Sequence, residues 1–534
     1  MARTTKAKRV PSGGQRDLFG TAADQTGSKP QVRSDQGRVF IAPDPHEIYL
    51  GETSLKTYLE QAGLREPLKV RRLLQSQDWS TFESRYSTQG RAPYAPSAMM
   101  GLVLYGILQG VTSLRGLEKL ARRDLACMWV TGGICPDHAN IGNFINQHHD
   151  LIAGSFFEGL TRTVLRHTGS SGERLAGDGT VVEAVASHYG LLKAEAAQAH
   201  AEAAQRRAAS APEDAGKQRQ AAIAQQAQAM LDSRAEQRRQ QGKPSGHLCV
   251  SAHEPEAMVQ PLKRGRGSAP SYKPSVLANE IRVIVAHGLH PSQEAAVLPE
   301  LLAQSAQVTG AMPNTLLLDA GYFSDSVIAT SLAHDIDLLC PEGRGGQPKA
   351  SDKYYPKGRF HYDEASDSYR CPAGATLNVI GRWSGNAKAP GYTLYGSSAC
   401  EDCAQRARCT RNQKGRRIKR YAGDDAKDAL RQVMQQPLAR RRFKQRQAMV
   451  EPVFSMLRGQ QGLHRFRRRG LAGVRTEFAL HVLAYNLGRA LAYRLFVAGL
   501  RAMRALMAAL AFDRRLDVAD SEIGTEWSPT LSSA

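Results

Sequence analysis

From Tyr49 to about Thr168 the apolar residues recur at helical spacing, as in SLKTYLEQAGL, SAMMGLVLYGILQGV and SLRGLEKLARRDLACMWV. Such spacing gathers them on one face of a helix. Pro93, Pro96 and Pro136 punctuate the segments, and Ser97 and Ser113 stand where N-caps belong. The pattern predicts an all-helical unit over 45–168. Short β-like runs follow: ERLAGDGTVVEAVAS, EIRVIVAHGLH, NTLLLDAGYF and DIDLLCPEG. Strands interleaved with helices predict an α/β core, here over 172–495, interrupted by insertions. One interruption, 189–243, is dominated by Ala, Gln, Glu, Lys and Arg. It predicts one or two long exposed helices broken near Ala211 and Pro212, without the heptad seam of a coiled coil. A second, 365–412, carries a cysteine cluster among Gly, Pro and polar residues, and reads as a small loop-rich knuckle without its own core. Residues 1–38 lack apolar periodicity and predict a disordered basic tail. Residues 496–534 are assigned to a C-terminal helix and tail.

Charge narrows the partners. The 534 residues hold 71 Lys and Arg against 50 Asp and Glu, a formal charge of +21. Much of the excess lies between Arg406 and Arg469, a layout that favours a polyanion, with nucleic acid ahead of an anionic membrane. No run reaches the ~18 uncharged apolar residues of a membrane span, and the start has no apolar signal segment. The expectation is a cytoplasmic protein with no membrane partner. Eight cysteines are too few for a secreted disulfide scaffold of this length.

Two of the strand-like runs end alike. Asp178 precedes Gly179 in RLAGDGTVVEA, and Asp319 precedes Ala320 and Gly321 in LLLDAGYF. Strand ends in an open α/β sheet form the ligand crevice, and a carboxylate there needs compensation, for which a divalent cation serves. A third acid, Glu451, sits in the helical-looking stretch KQRQAMVEPVFSMLRG between Arg446 and Arg458. Taken singly, an Asp before Gly is also an ordinary turn residue, and a Glu beside Arg an ordinary ion pair. Spacing by itself leaves both readings open.

The blocks AGDGTVVEAVAS, LLLDAGYFS and VEPVFSMLRG, followed by HRFRRRGLAGVRTEFALHVLAYNLGR, resemble in order and wording the DDE transposases of bacterial insertion sequences. GRAPYAPSAMMGLVLYGILQGVTSLRGLEKLARRD and PDHANIGNFINQHH resemble the helical N-terminal domain of one branch of that family, which also carries a cysteine-bearing insertion before the final glutamate. The resemblance covers roughly Glu47 to Arg494. It implies a ribonuclease H-like fold, with Asp178, Asp319 and Glu451 as catalytic acids holding two Mg²⁺ or Mn²⁺ ions. It implies cleavage at element ends and strand transfer into target DNA, by a homodimer or higher multimer on double-stranded DNA. The helical unit becomes the candidate for end recognition or assembly. Two positions depart from the family's wording: Arg458 where lysine is common, and Ser455 where glycine often follows the phenylalanine.

Arg446, Arg458, Arg465, Arg467, Arg468 and Arg469 are the candidate phosphate contacts, a solvated helix face being the alternative. Cys371, Cys400, Cys403 and Cys409, with one Cys-x-x-Cys pair, suit a structural Zn²⁺, against free reduced thiols. Cys127, Cys135, Cys249 and Cys340 stand in apolar or isolated contexts and read as buried or inert. Two other functions fit the same residues: a non-catalytic DNA-binding relic acting as a repressor, and a metal-dependent DNA nuclease that cuts without joining.

Overall fold

The computed structural model describes residues 31–493, apart from 35–36, 241, 263–266, 344–353, 356 and 387–388. Most of the expected tail over 1–38, and all of the segment over 496–534, therefore lie outside the described residues. The tail's far end is not free chain, because Gln31–Arg33 pairs antiparallel with Val39–Ile41.

The main path of the central seven-stranded sheet is β1 (Arg174–Gly179), β2 (Ser268–Asn279), β3 (Ile284–His290), β4 (Thr315–Leu317) and β5 (Asp337–Leu339), with Val182–Glu183 and Met258–Pro261 also pairing with β2. Their order across the sheet is β3-β2-β1-β4-β5. The first three pair antiparallel, whereas β1, β4 and β5 run parallel. Leu175, Ala176, Val276, Leu277, Leu316 and Leu317 are all fully buried. Strands covered on both faces read as continuous apolar runs. The β2–β3 reversal places Arg282 at φ 69°, and Asn279 Oδ1 accepts the Val283 N–H at 2.9 Å to hold the turn. Helices Leu298–Thr309 and Asp325–Ala333 carry the chain from β3 to β4 and from β4 to β5, the kind of crossover that parallel pairing requires.

Nine helices lie between Leu55 and Thr168 among the described residues. Ser113 caps its helix as expected, accepting the Gly116 N–H at 3.1 Å. Ser97 does not, because the helix Pro96–Leu108 already begins at Pro96. Proline's fixed φ suits the first helical position. That helix is apolar all round and buried from Ala98 to Ile107, which makes it the axis of this layer. The helical layer and the sheet share one continuous hydrophobic core. The buried Asn486, on the helix over 470–493, joins them. Its side chain accepts from Ile284 N (2.9 Å) and donates to Ile284 O (2.8 Å) and Thr161 Oγ1 (3.1 Å).

The insertion over 189–243 forms two helices, Ala194–Ala209 and Ala215–Gln240, with the break where Pro212 stands. They are not exposed all round: Ala201, Ala204 and Ala208 pack on Ala221 and Ala224 in a small apolar seam. The cysteine-bearing insertion also departs from expectation. It is an antiparallel meander of five strands in chain order, from His361–Asp363 to Ile418–Arg420. Phe360, Tyr369, Leu377, Tyr395 and Ile418 give it a core of its own.

Candidate active site

The sheet register brings the two aspartates together. Leu317 of β4 lies opposite Ala176 of β1 in parallel pairing; Asp178 stands two residues further along β1, and Asp319 two residues beyond Leu317, just past the end of β4, where it caps the turn Ala320–Tyr322. Side chains two apart share a face. Asp178 and Asp319 are therefore neighbours at the same sheet edge. Asp178 Oδ1 accepts the Gly179 N–H and Asp319 Oδ1 the Gly321 N–H, both at 2.9 Å.

Arg446 occupies the space between them. Its Nη2 lies 3.0 Å from Asp178 Oδ1 and 3.8 Å from Asp319 Oδ2, and its Nε donates to Gly177 O at 3.1 Å. The guanidinium supplies the positive charge that two adjoining carboxylates need. Burial still pushes the Asp178 carboxyl up to about 6, with Arg446 opposing the rise and Asp319 and Glu294 adding to it. The Cys340 thiol, which sequence reading treated as inert, donates to Asp319 O at 3.1 Å.

Glu451 does not touch the aspartates. It is exposed on the helix Pro437–Gly459, accepting from Gln447 Nε2 at 3.0 Å. Its direction is nonetheless defined. Arg446 anchors this helix to Gly177, and Arg458 anchors it to Thr180 and to Val181 O (2.9 Å). Residues seven apart lie on one helix face, so Glu451 faces the same side as Arg458, beside the chain that follows Asp178. Among the described residues no three acidic, His or Cys side chains converge closely enough to hold one ion.

Most of the candidate phosphate contacts are engaged within the molecule. Arg465 donates to Ala184 O (2.9 Å) and to Val185 O, while Phe466 N donates to Glu183 O at 2.9 Å. This ties the RFRRR segment to the chain beyond β1. Arg467 Nε reaches Thr112 Oγ1 at 2.9 Å, and Arg468 Nη1 reaches Asn146 Oδ1 at 2.6 Å. The backbone amides of both arginines donate to the buried Glu477 carboxylate. These arginines hold the helical layer to the core, a role that charge layout does not distinguish from phosphate binding. Arg469 is exposed.

The four clustered cysteines lie on the meander and form no disulfide, with Cys371 and Cys409 against its core. Burial raises the Cys409 thiol, and Cys400, Cys371 and Cys403 add to the rise while Arg416 opposes it. Gly415, at φ +77°, admits Cys400 closely: a Cβ there would stand 2.5 Å from the Cys400 Cβ. The thiols thus share one electrostatic neighbourhood, although no three of them converge on a point.

Sequence reading missed Glu294, whose carboxylate lies over Gly179. A signal existed. β3 runs in the direction of β1, so the loop after EIRVIVAHGLH opens at the sheet edge that holds the aspartates.

The sheet's parallel strands thus lead to paired carboxylates, clasped by an arginine from a later helix. Two family comparisons bear on the chain. A transposase DDE domain matches residues 370–491, which include Glu451 but neither aspartate. A transposase domain, DUF772, matches residues 60–147 in the helical layer. Both matches are to transposase domains, one of them of the DDE type. No curated protein matches it.

Proposed function

We propose that this protein binds the ends of its insertion sequence and catalyses metal-dependent DNA cleavage and strand transfer. The pairing of Asp178 and Asp319 at one sheet edge carries this reading. The strand order β3-β2-β1-β4-β5, with three antiparallel and three parallel members sharing β1, supports a ribonuclease H-like core. Asp178 and Asp319 are the paired ligands for Mg²⁺ or Mn²⁺, and Glu451 is the third acid.

Their donor set fits the cation, since hard divalent ions take carboxylate oxygens and complete their shell with water and phosphate. When bound, two such ions would activate the attacking oxygen and stabilise the leaving one. Arg446 keeps the aspartate pair charged and close together before a cation arrives. Once its carboxylates are shared, its guanidinium is placed to donate to the scissile phosphate. The exposed Arg469 and the exposed parts of Arg465 and Arg467 lie along the same segment for backbone phosphates. End recognition falls to the helical layer and requires two copies to bring two ends together. The meander's four thiols share one electrostatic neighbourhood without converging on a point; zinc in the purified, reduced protein and its loss in Cys403→Ser would be needed to assign them a structural Zn²⁺.

The deciding experiment incubates the protein with a labelled duplex carrying the element's own ends and Mg²⁺, beside Asp178→Ala. Cutting with joined products, both lost in the variant, supports the reading. Cutting without joining would establish a nuclease, and binding without cutting in Mg²⁺ and Mn²⁺ would establish a DNA-binding relic. No described helix is long and apolar enough to cross a membrane.

A further inference from the structure

We infer that the two-stranded ribbon projecting from the cysteine-bearing meander is a DNA-reading arm that enters the major groove at the element's ends. This rests on the transposase reading above, and gives part of end recognition to the meander. The ribbon is the outer part of Thr376–Asn386 and Ala389–Gly396, which pair antiparallel. The meander's core stops at Leu377 and Tyr395. Its neighbouring strands stop there too: Ser368–Arg370 pairs no further than Leu377, and Ile418–Arg420 no further than Thr393. Beyond Arg382 and Thr393 only two strands continue, and no residue from Asn378 to Asn386 is buried.

A two-stranded hairpin by itself is marginal in water, and this one is stiffened where it leaves the sheet. Trp383 and Tyr392 face each other across the strands with ring centroids 5.3 Å apart. Tyr421 packs edge-on to Tyr392 at 5.9 Å, and Lys419 Nζ lies 4.1 Å from the Tyr392 ring centroid. Side chains alternate along a strand, so Arg382 and Ser384 lie on the face opposite Trp383, and both are exposed. Arg382 meets Asp367 at 3.3 Å, yet its side chain stays 71% exposed. Asp367 does not depend on it, because the Tyr395 and Tyr362 hydroxyls donate to that carboxylate at 2.5 and 2.9 Å and do most to hold its pKa down. Arg382 is therefore free to turn to another acceptor. Charge identifies the occupant: residues 361–420 hold eleven Lys and Arg against five Asp and Glu, a balance that repels a second meander and attracts a polyanion. The major groove admits a two-stranded ribbon, where Arg pairs with guanine and Ser with any base edge.

The test measures the affinity of the full-length protein for a labelled duplex carrying the element's ends and for a random duplex of equal length. Two variants stand beside the wild type: Arg382→Ala, and a chain in which Asn-Gly joins Trp383 directly to Tyr392, a two-residue hairpin turn that keeps the aromatic pair. Arg382→Ala is expected to weaken binding to the ends about tenfold, and to the random duplex by less. The shortened chain is expected to lose protection of guanine N7 at the ends as well. Equal weakening on both duplexes, or unchanged affinity and protection in both variants, would overturn the inference and leave the transposase reading standing. Unchanged DNA binding with loss of self-association in the shortened chain would make the ribbon a contact between copies, which also overturns it. A wild type that does not bind the ends would overturn both readings. Should the shortened chain fail to fold, Arg382→Ala decides, since its exposed side chain leaves thermal unfolding unchanged.

Discussion

Arg446 keeps two acids side by side that would otherwise repel, and its removal should be legible in their titration. Because its charge opposes the rise of the Asp178 carboxyl from 3.8 to about 6, Arg446→Met should move that titration higher still. Carboxyl-edited infrared titration of the metal-free protein reads the shift; an unmoved Asp178 would mean the pair is not electrostatically coupled. The candidate phosphate-contact arginines divide in the same way. Arg458→Ala, which frees Thr180 and Val181, should lower stability with little change in the salt dependence of DNA binding. Arg469→Ala should lower the salt slope by about one while leaving stability intact. The buried histidines set the acid limit. Burial holds His148 and His287 down at about 4 and His481 at about 3, below the ordinary 6.5. Since the unfolded chain binds protons first, the stability they contribute is present above pH 6.5 and is lost as pH falls toward 4. Urea midpoints across that window measure it, and a flat profile would refute it.

At the scale of elements, the alanine seam of the 194–240 hairpin tolerates nothing larger. Ala224 is fully buried, so Ala224→Leu should destabilise the hairpin by about 1–3 kcal/mol. Hydrogen exchange should accelerate there and stay unchanged in the central sheet. This hairpin also shows where sequence reading succeeds and stops. Alanine and glutamine announce helix, and Pro212 announces the break, but alanine's small side chain leaves no hydrophobic period from which to foresee the packed face. The aspartates were legible because each ends an apolar run at a small residue. Glu294 was not, because its strand closes on His290 and three further residues intervene before the acid. The meander hid its strands in the same fashion: Tyr369, Leu377 and Tyr395 form a core only when three separate short runs are superposed.

Across the whole molecule, the helical layer is not an appendage but part of one core. Asn486 satisfies both backbone groups of Ile284 and reaches Thr161. Asn486→Ala would leave those buried groups unpaired and should cost about 3 kcal/mol. Calorimetry should show one transition shifted as a whole; two separated transitions would show that the layers unfold independently. The separation in sequence of the groups that meet at the aspartates has a further consequence. Arg446 reaches Gly177 across 269 positions, and Arg458 reaches Thr180 across 278. During synthesis, Asp178 and Asp319 leave the ribosome long before the helix that clasps them. The meander, whose strands pair only with near neighbours, can fold in the meantime. A nascent chain stopped short of residue 446 thus carries both aspartates without the arginine that clasps them; on the proposed function, any cutting competence would arrive only late in translation.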